Sequence, residues 1–258
     1  MDPNTSAALA ELNRAFYTRF AGDFARTRRA WPPSFERILP YMRSAINLLD
    51  LGCGNARLLA FLLEHGWSGH YTGLDGSEAL LAIAARNAGL SAGRNSGTLA
   101  RFVLADLLSP DWASRLAGGA GPSALEPSFG CIAALAVLHH IPGVAQRARF
   151  LAACASLLAP AGKLVISTWQ FLGSTRLRAR ILPWRVAGIS ESEVEPGDYL
   201  LSWGQGAAGQ RYCAAIGLDD LVALADAAGL KAVEAFYADG HEGNLNLYGV
   251  FRPKEKVS

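Results

Sequence analysis

The chain has 258 residues, of which 51% are hydrophobic and 18% charged, with a net charge of +2 and a sequence pI near 8.4. That composition supplies a sizeable core and excludes global disorder. No apolar run approaches the ~18 residues of a membrane span, and the charge is too mild to indicate nucleic-acid binding by itself. Leu9, Leu12, Phe16, Phe20 and Phe24 recur at spacings of three and four, which predicts helix within residues 1–44. Trp31-Pro32-Pro33 interrupts it, and a further helix is expected over Phe35 to Tyr41. Strand and helix signals then alternate. Strands are predicted near 47–51, 70–74, 101–105, 129–135 and 163–169, and helices near 56–65, 77–88 and 144–159. Gly89 to Thr98 and Gly118 to Ser128 read as surface loops. After Trp169 periodicity fades for about 50 residues, too long for a plain loop, so 170–217 reads as a substrate-facing insertion. A helix over Leu218 to Ala228, stopped by Gly229, and closing strands near 231–237 and 245–252 complete the chain.

This alternation predicts a doubly wound α/β fold with a mainly parallel, seven-stranded sheet. The expected organisation is a single domain over 1–258: an N-terminal helical segment (1–44), a ligand-binding core (45–169), the insertion and a closing unit (218–258). The N-terminus lacks a basic-then-apolar signal pattern, and the expectation is a soluble cytoplasmic protein. Cys53, Cys131, Cys154 and Cys213 form no C-x-x-C pair, so no zinc or redox motif is expected.

The most informative stretch runs from Asn47 to Arg57, where an apolar strand meets Asp50 and then the turn Gly52-Cys53-Gly54-Asn55 before a helix start. Such a turn faces backbone N–H groups toward a polar ligand. A dinucleotide site needs a third small residue where Arg57 stands, and Asp50 would repel pyrophosphate. Asp75 ends the next strand, 23 residues beyond Gly52, about the ~20 expected of an acid that holds a ribose diol. Asp106 ends the third strand. Ligands of open α/β sheets bind at these carboxyl ends.

Asp50 to Asn55, Gly73 to Asp75, Ala105-Asp106 and the run Phe129 to Pro142 together resemble the class I S-adenosylmethionine-dependent methyltransferases, over roughly Ala45 to Trp169. The resemblance implies a Rossmann-like methyltransferase fold with S-adenosylmethionine as cofactor. It assigns cofactor contacts to Asp50, Gly52, Cys53, Gly54, Asn55, Asp75, Gly76, Ser77, Asp106, Leu107 and Ala136, with Asp75 on the ribose and Asp106-Leu107 beside the adenine.

The acceptor is read from the flanks. Phe20 to Pro32, Ala136 to Ile141, Gly197 to Leu200 with Trp203, and Arg211-Tyr212 resemble the tRNA wobble-uridine carboxymethyl methyltransferases. That resemblance implies esterification of a carboxymethyl group in tRNA, and a small activator protein as partner. A carboxylate acceptor is already ionised and needs no base, but it does need a cationic clamp. Arg28 and Arg211 are the clamp candidates, Trp169 or Tyr212 the stacking candidates, and His139 or His140 the acceptor-facing histidine. Met1 to Arg43 holds seven arginines against four acids, and Lys163 to Arg185 five basic residues and no acid; both suit either a phosphate backbone or solvated helix faces. The chain departs from the family at Cys213-Ala214, in place of an aromatic and a histidine, and at Leu247, in place of a tryptophan. A small-molecule O- or N-methyltransferase and a catalytically silent cofactor-binding subunit are the alternatives.

Overall fold

Apolar residues on the central strands alternate between two cores, one on each face of a sheet. In the computed structural model, which describes residues 1–26, 31–92, 97–117, 129–204 and 209–255, that sheet has seven strands. They are β1 (Asn47–Leu51), β2 (His70–Asp75), β3 (Leu99–Leu104), β4 (Phe129–Leu135), β5 (Leu158–Trp169) and, after three strands of a second sheet, β9 (Leu230–Ala238) and β10 (Asn246–Pro253). Their spatial order is β3-β2-β1-β4-β5-β10-β9, parallel except for β10, which runs antiparallel to both neighbours. Leu48, Cys131, Ala133 and Val165 face the helices α2 (Ser34–Met42) and α3 (Arg57–Glu64). Leu49, Leu51, Ile132 and Ile166 face α5 (Val144–Leu157) and α7 (Leu218–Ala227). Burial on both faces is why these strands read as nearly unbroken apolar runs.

Several boundaries differ from expectation. The helix α4 (Glu78–Ala92) runs into the stretch expected to be loop, because Gly89 is tolerated among good helix formers; residues 93–96 and 118–128 lie outside the described residues. β5 begins at Leu158, so α5 stops two residues early. Pro160 cannot continue a helix, and Leu158 pairs with Phe129 across a register irregularity.

The insertion is the larger correction. After the single helical turn α6 (Thr175–Arg178) it forms an antiparallel three-stranded sheet of β6 (Ile181–Leu182), β7 (Asp198–Trp203) and β8 (Gly209–Ala214). Neighbouring residues Leu200 and Leu201 are both buried, in different clusters, as are Tyr212 and Cys213. Two-sided burial erases the alternation by which such short strands are recognised. The helix α1 (Pro3–Arg26) lies against β8, with Phe16 and Phe20 so close to Gly209 that a Cβ there would come within 2.6 Å of the Phe20 ring. Among the described residues no helix is long and apolar enough to cross a membrane.

Candidate active site

Strand order reverses between β1 and β4, which opens a crevice at the carboxyl ends of the parallel strands. A cleft of about 520 Å³ occupies it, walled on one side by the β1–β2–β3 ends and on the other by α1 and β8. The backbone alternates through positive φ at Gly52 (66°), Gly54 (56°) and Ala56 (58°). A side chain at Gly52 would also meet Val137, 2.5 Å from its Cβ. The N–H groups of Gly52 and Cys53 donate to the carbonyl of Leu74, at 2.7 and 3.0 Å, which ties the turn to β2. Gly54 N–H donates to Asp75 Oδ2 (2.9 Å) and Ser77 N–H to Asp75 Oδ1 (2.8 Å). All the residues expected to meet a cofactor, from Asp50 to Ala136, lie on the cleft wall.

The acids differ in setting. Asp106 is partly exposed and pairs with Arg14 of α1 at 2.8 Å, while its Oδ1 accepts from Leu108 N–H. Burial pushes Asp75 above the usual carboxylate range, against the backbone donors that favour its charge. Asp50 is buried, accepts the Tyr71 hydroxyl at 2.5 Å, and is pushed up to about 7 chiefly by desolvation. Burial also pushes the Cys53 thiol up, so it supplies no thiolate near neutrality.

A raised carboxyl pKa makes folding proton-linked. The contribution of Asp50 is fully present below its unfolded value near 4 and is lost as pH rises toward 7, a total on the order of 4 kcal/mol. Urea denaturation at pH 4.5 and 7.5 is therefore expected to show a shallower decline for Asp50→Asn than for the native chain. An identical decline in both would mean that Asp50 is ionised throughout. Asp75 shifts in the same direction, so the difference between the two proteins, rather than the native slope, isolates Asp50.

The cleft is also lined by Trp169, Arg211, His139 and His140. The guanidinium of Arg211 lies 4.5 Å from the centre of the Trp169 ring and 5.5 Å from that of Phe16. Its Nε is buried without a hydrogen-bond partner, and Arg211 makes no ion pair with an acid among the described residues. His139 is buried and accepts the Trp169 N–H through Nδ1 at 3.2 Å. Arg28 lies outside the described residues.

Tyr212 is a correction. It is fully buried, and its hydroxyl donates to Asp198 (2.7 Å) and accepts from Arg147 (3.0 Å). Arg147 also reaches Glu195 and the Ile141 carbonyl. This network fastens the insertion to α5, so Tyr212 offers no face to a ligand.

Sequence reading missed the residues that α1 and the β9–β10 turn bring to the cleft. Arg14 and Tyr17 arrive on α1, and Asp239 (φ 66°) arrives just after β9. Asp239 accepts from Ser34 N–H and Oγ, the Tyr248 hydroxyl and the Asn246 amide, which makes Asn246 a brace of the turn. Arg57, whose bulk argues against a dinucleotide fingerprint, lies on the wall with its guanidinium 5.2 Å from the centre of the Phe35 ring.

A family profile described as a methyltransferase domain matches residues 24–235. A protein of Encephalitozoon cuniculi with a provisional methyltransferase name is 28% identical over 223 residues, 85% of this chain and 87% of that one. Among solved structures, an S-adenosylmethionine-dependent methyltransferase of Methanosarcina mazei superposes with a TM-score of 0.64 at 19% identity, over 85% of this chain and 98% of that one. The 1,6-didemethyltoxoflavin-N1-methyltransferase of Burkholderia thailandensis, solved with its acceptor and S-adenosylhomocysteine, does so with 0.63 at 20% identity, over 99% and 92%.

Proposed function

Because the chain belongs to the methyltransferase-domain family and is an S-adenosylmethionine-dependent enzyme, we propose that it converts an acceptor carboxylate to a methyl ester, the acceptor being the carboxymethyl group of a wobble uridine in tRNA. One observation carries this reading: Arg211 is a cation without an acidic partner among the described residues, held between two aromatic rings at the wall of the cleft. A planar guanidinium fork suits a carboxylate, and one held on aromatic faces is already oriented.

The donor set suits the cofactor. Asp75 takes the Gly54 N–H on one oxygen and the Ser77 N–H on the other, and a carboxylate so held can also accept from ribose hydroxyls. Asp106, on the same cleft wall, is an acceptor for an adenine amino group, and the Gly52–Gly54 turn on that wall faces the amino-acid tail. Asp50 becomes a counter-charge for a cationic ligand once it ionises. The cofactor supplies an activated methyl on a sulfonium. The chain's part is to align and to exclude water. Arg211 holds one carboxylate oxygen so that the other faces the methyl. Trp169 presents a flat surface for the acceptor's ring. His139, with Nδ1 committed to the backbone, is the buried histidine of this wall. No general base is required, because the acceptor arrives ionised.

A small planar carboxylate is the second reading, favoured by α1. Tyr17 meets His140, Phe16 covers Arg211, and Arg14 meets Asp106, so the helix lies along the mouth. Arg14, Arg26 and Arg37 of the N-terminal segment pair with acids, which weakens that lobe as a phosphate grip. The exposed Arg176 and Arg185 of the insertion favour the polynucleotide. Incubation with methyl-labelled cofactor, total tRNA and a small-metabolite extract separates the two. The tRNA reading expects label on a wobble uridine, released by mild alkali. Label in small carboxylates alone supports the second reading, and base-stable label contradicts both.

A further inference from the structure

The Arg211 guanidinium takes its setting from aromatic rings. It forms no ion pair among the described residues, and its Nε is buried without a hydrogen-bond partner. The Trp169 ring centre lies 4.5 Å from the guanidinium and the Phe16 ring centre 5.5 Å. Each ring offers the cation the negative face of its quadrupole. Trp169 lines the cleft, but Phe16 does not. What Phe16 contributes at the wall therefore passes through the side chains it touches.

Phe16 is itself closely placed. It is only 3% exposed, its ring is 5.2 Å from that of Phe20, and it stands edge-on to Trp203 of β7 at 5.5 Å. Phe20 and Trp203 meet in turn at 4.8 Å. Gly209, at the start of β8, completes the seat. A Cβ there would come within 3.0 Å of two Phe16 ring carbons as well as 2.6 Å of Phe20. Those atoms belong to rigid rings, so a side chain at 209 would have to displace them. Residues two apart on a strand share a face, and Arg211 is two beyond Gly209. The strand thus sets a bare backbone against the Phe16 ring and then lays its cation on that same ring.

We infer that Phe16 is a positioning residue: its ring face fixes the plane of the Arg211 guanidinium, so that the in-plane N–H edge, Nε included, meets the acceptor carboxylate. This inference rests on the carboxylate reading above.

Phenylalanines carrying one, two and three ring fluorines at position 16 test it, because fluorine drains the negative face with little change of size. The acceptor is 5-carboxymethyluridine in an anticodon stem-loop oligonucleotide, or the carboxylate that takes label from a metabolite extract. Its kcat/KM for alkali-labile methylation is expected to fall stepwise, by about 5-fold at three fluorines. S-adenosylhomocysteine affinity and stoichiometry should hold, which counts the folded molecules. The same series at Phe20, whose ring carries Arg19 instead, should be flat, and so should the series at position 16 in Arg211→Ala. Gly209→Ala, which moves the ring without changing its chemistry, should lower kcat/KM and flatten the series at position 16. A flat series at position 16 in the native background, or an equal fall at Phe20, overturns the inference while sparing the carboxylate reading. No ester from the oligonucleotide, total tRNA or the extract overturns that reading and the inference with it.

Discussion

Asp75→Ala is expected to weaken S-adenosylhomocysteine binding by at least ~100-fold, about 2.7 kcal/mol. The carboxylate sits at the end of β2, with the Gly54 N–H on one oxygen and the Ser77 N–H on the other. Its removal would take away the two charge-assisted hydrogen bonds proposed to a ribose, each worth roughly 1.5–3 kcal/mol. It also releases the amide that ties the glycine turn to β2. Asp75→Asn keeps one oxygen as an acceptor and should fall between the two. Calorimetric titration measures all three proteins, and an affinity for Asp75→Ala within a few-fold of the native value would remove Asp75 from the cofactor site.

Arg211→Ala is expected to act on the other substrate. The second-order rate constant for the acceptor should fall by about 10³-fold, near 4 kcal/mol, as for a buried charge pair that loses one member. S-adenosylhomocysteine affinity should stay nearly unchanged, because among the described residues no hydrogen bond or ion pair ties Arg211 to Asp75 or Asp106. Arg211→Lys should recover only part of the rate. An ammonium keeps the charge but lacks the planar fork and the flat face that lies between Trp169 and Phe16. Steady-state kinetics with acceptor varied at saturating cofactor checks this, and an equal fall in cofactor affinity would place Arg211 in the cofactor half.

The parts of the cleft wall were not equally legible in the sequence. β1 and β4 have the bounds expected of them, because strands buried on both faces keep long apolar runs. The glycine turn and the acids at 50, 75 and 106 are local features of consecutive strand ends, and the fold brings them to one wall simply by being parallel. The wall around Arg211 and His140 depends on distant pairings. Tyr17 meets His140 across 123 positions, Asn13 meets Tyr212 across 199, and Ser34 meets Asp239 across 205. No local pattern marks such contacts. Tyr212 shows the cost of reading type without context: an aromatic beside an arginine suggested a stacking platform, and Asp198 and Arg147 claim its hydroxyl in the core. The insertion sheet was hidden for a related reason, since Leu200 and Leu201 are both buried and break the period of two.

The proposed reaction is methyl-ester formation on a carboxylate held by Arg211. The most direct measurement is methanol released by mild alkali from acceptor labelled with the cofactor's methyl group, for the native chain and for Arg211→Ala. Release of nearly all the transferred label from native reactions, and its loss in the variant, is the predicted result. Label that survives alkali, or release that is unchanged in Arg211→Ala, would contradict it.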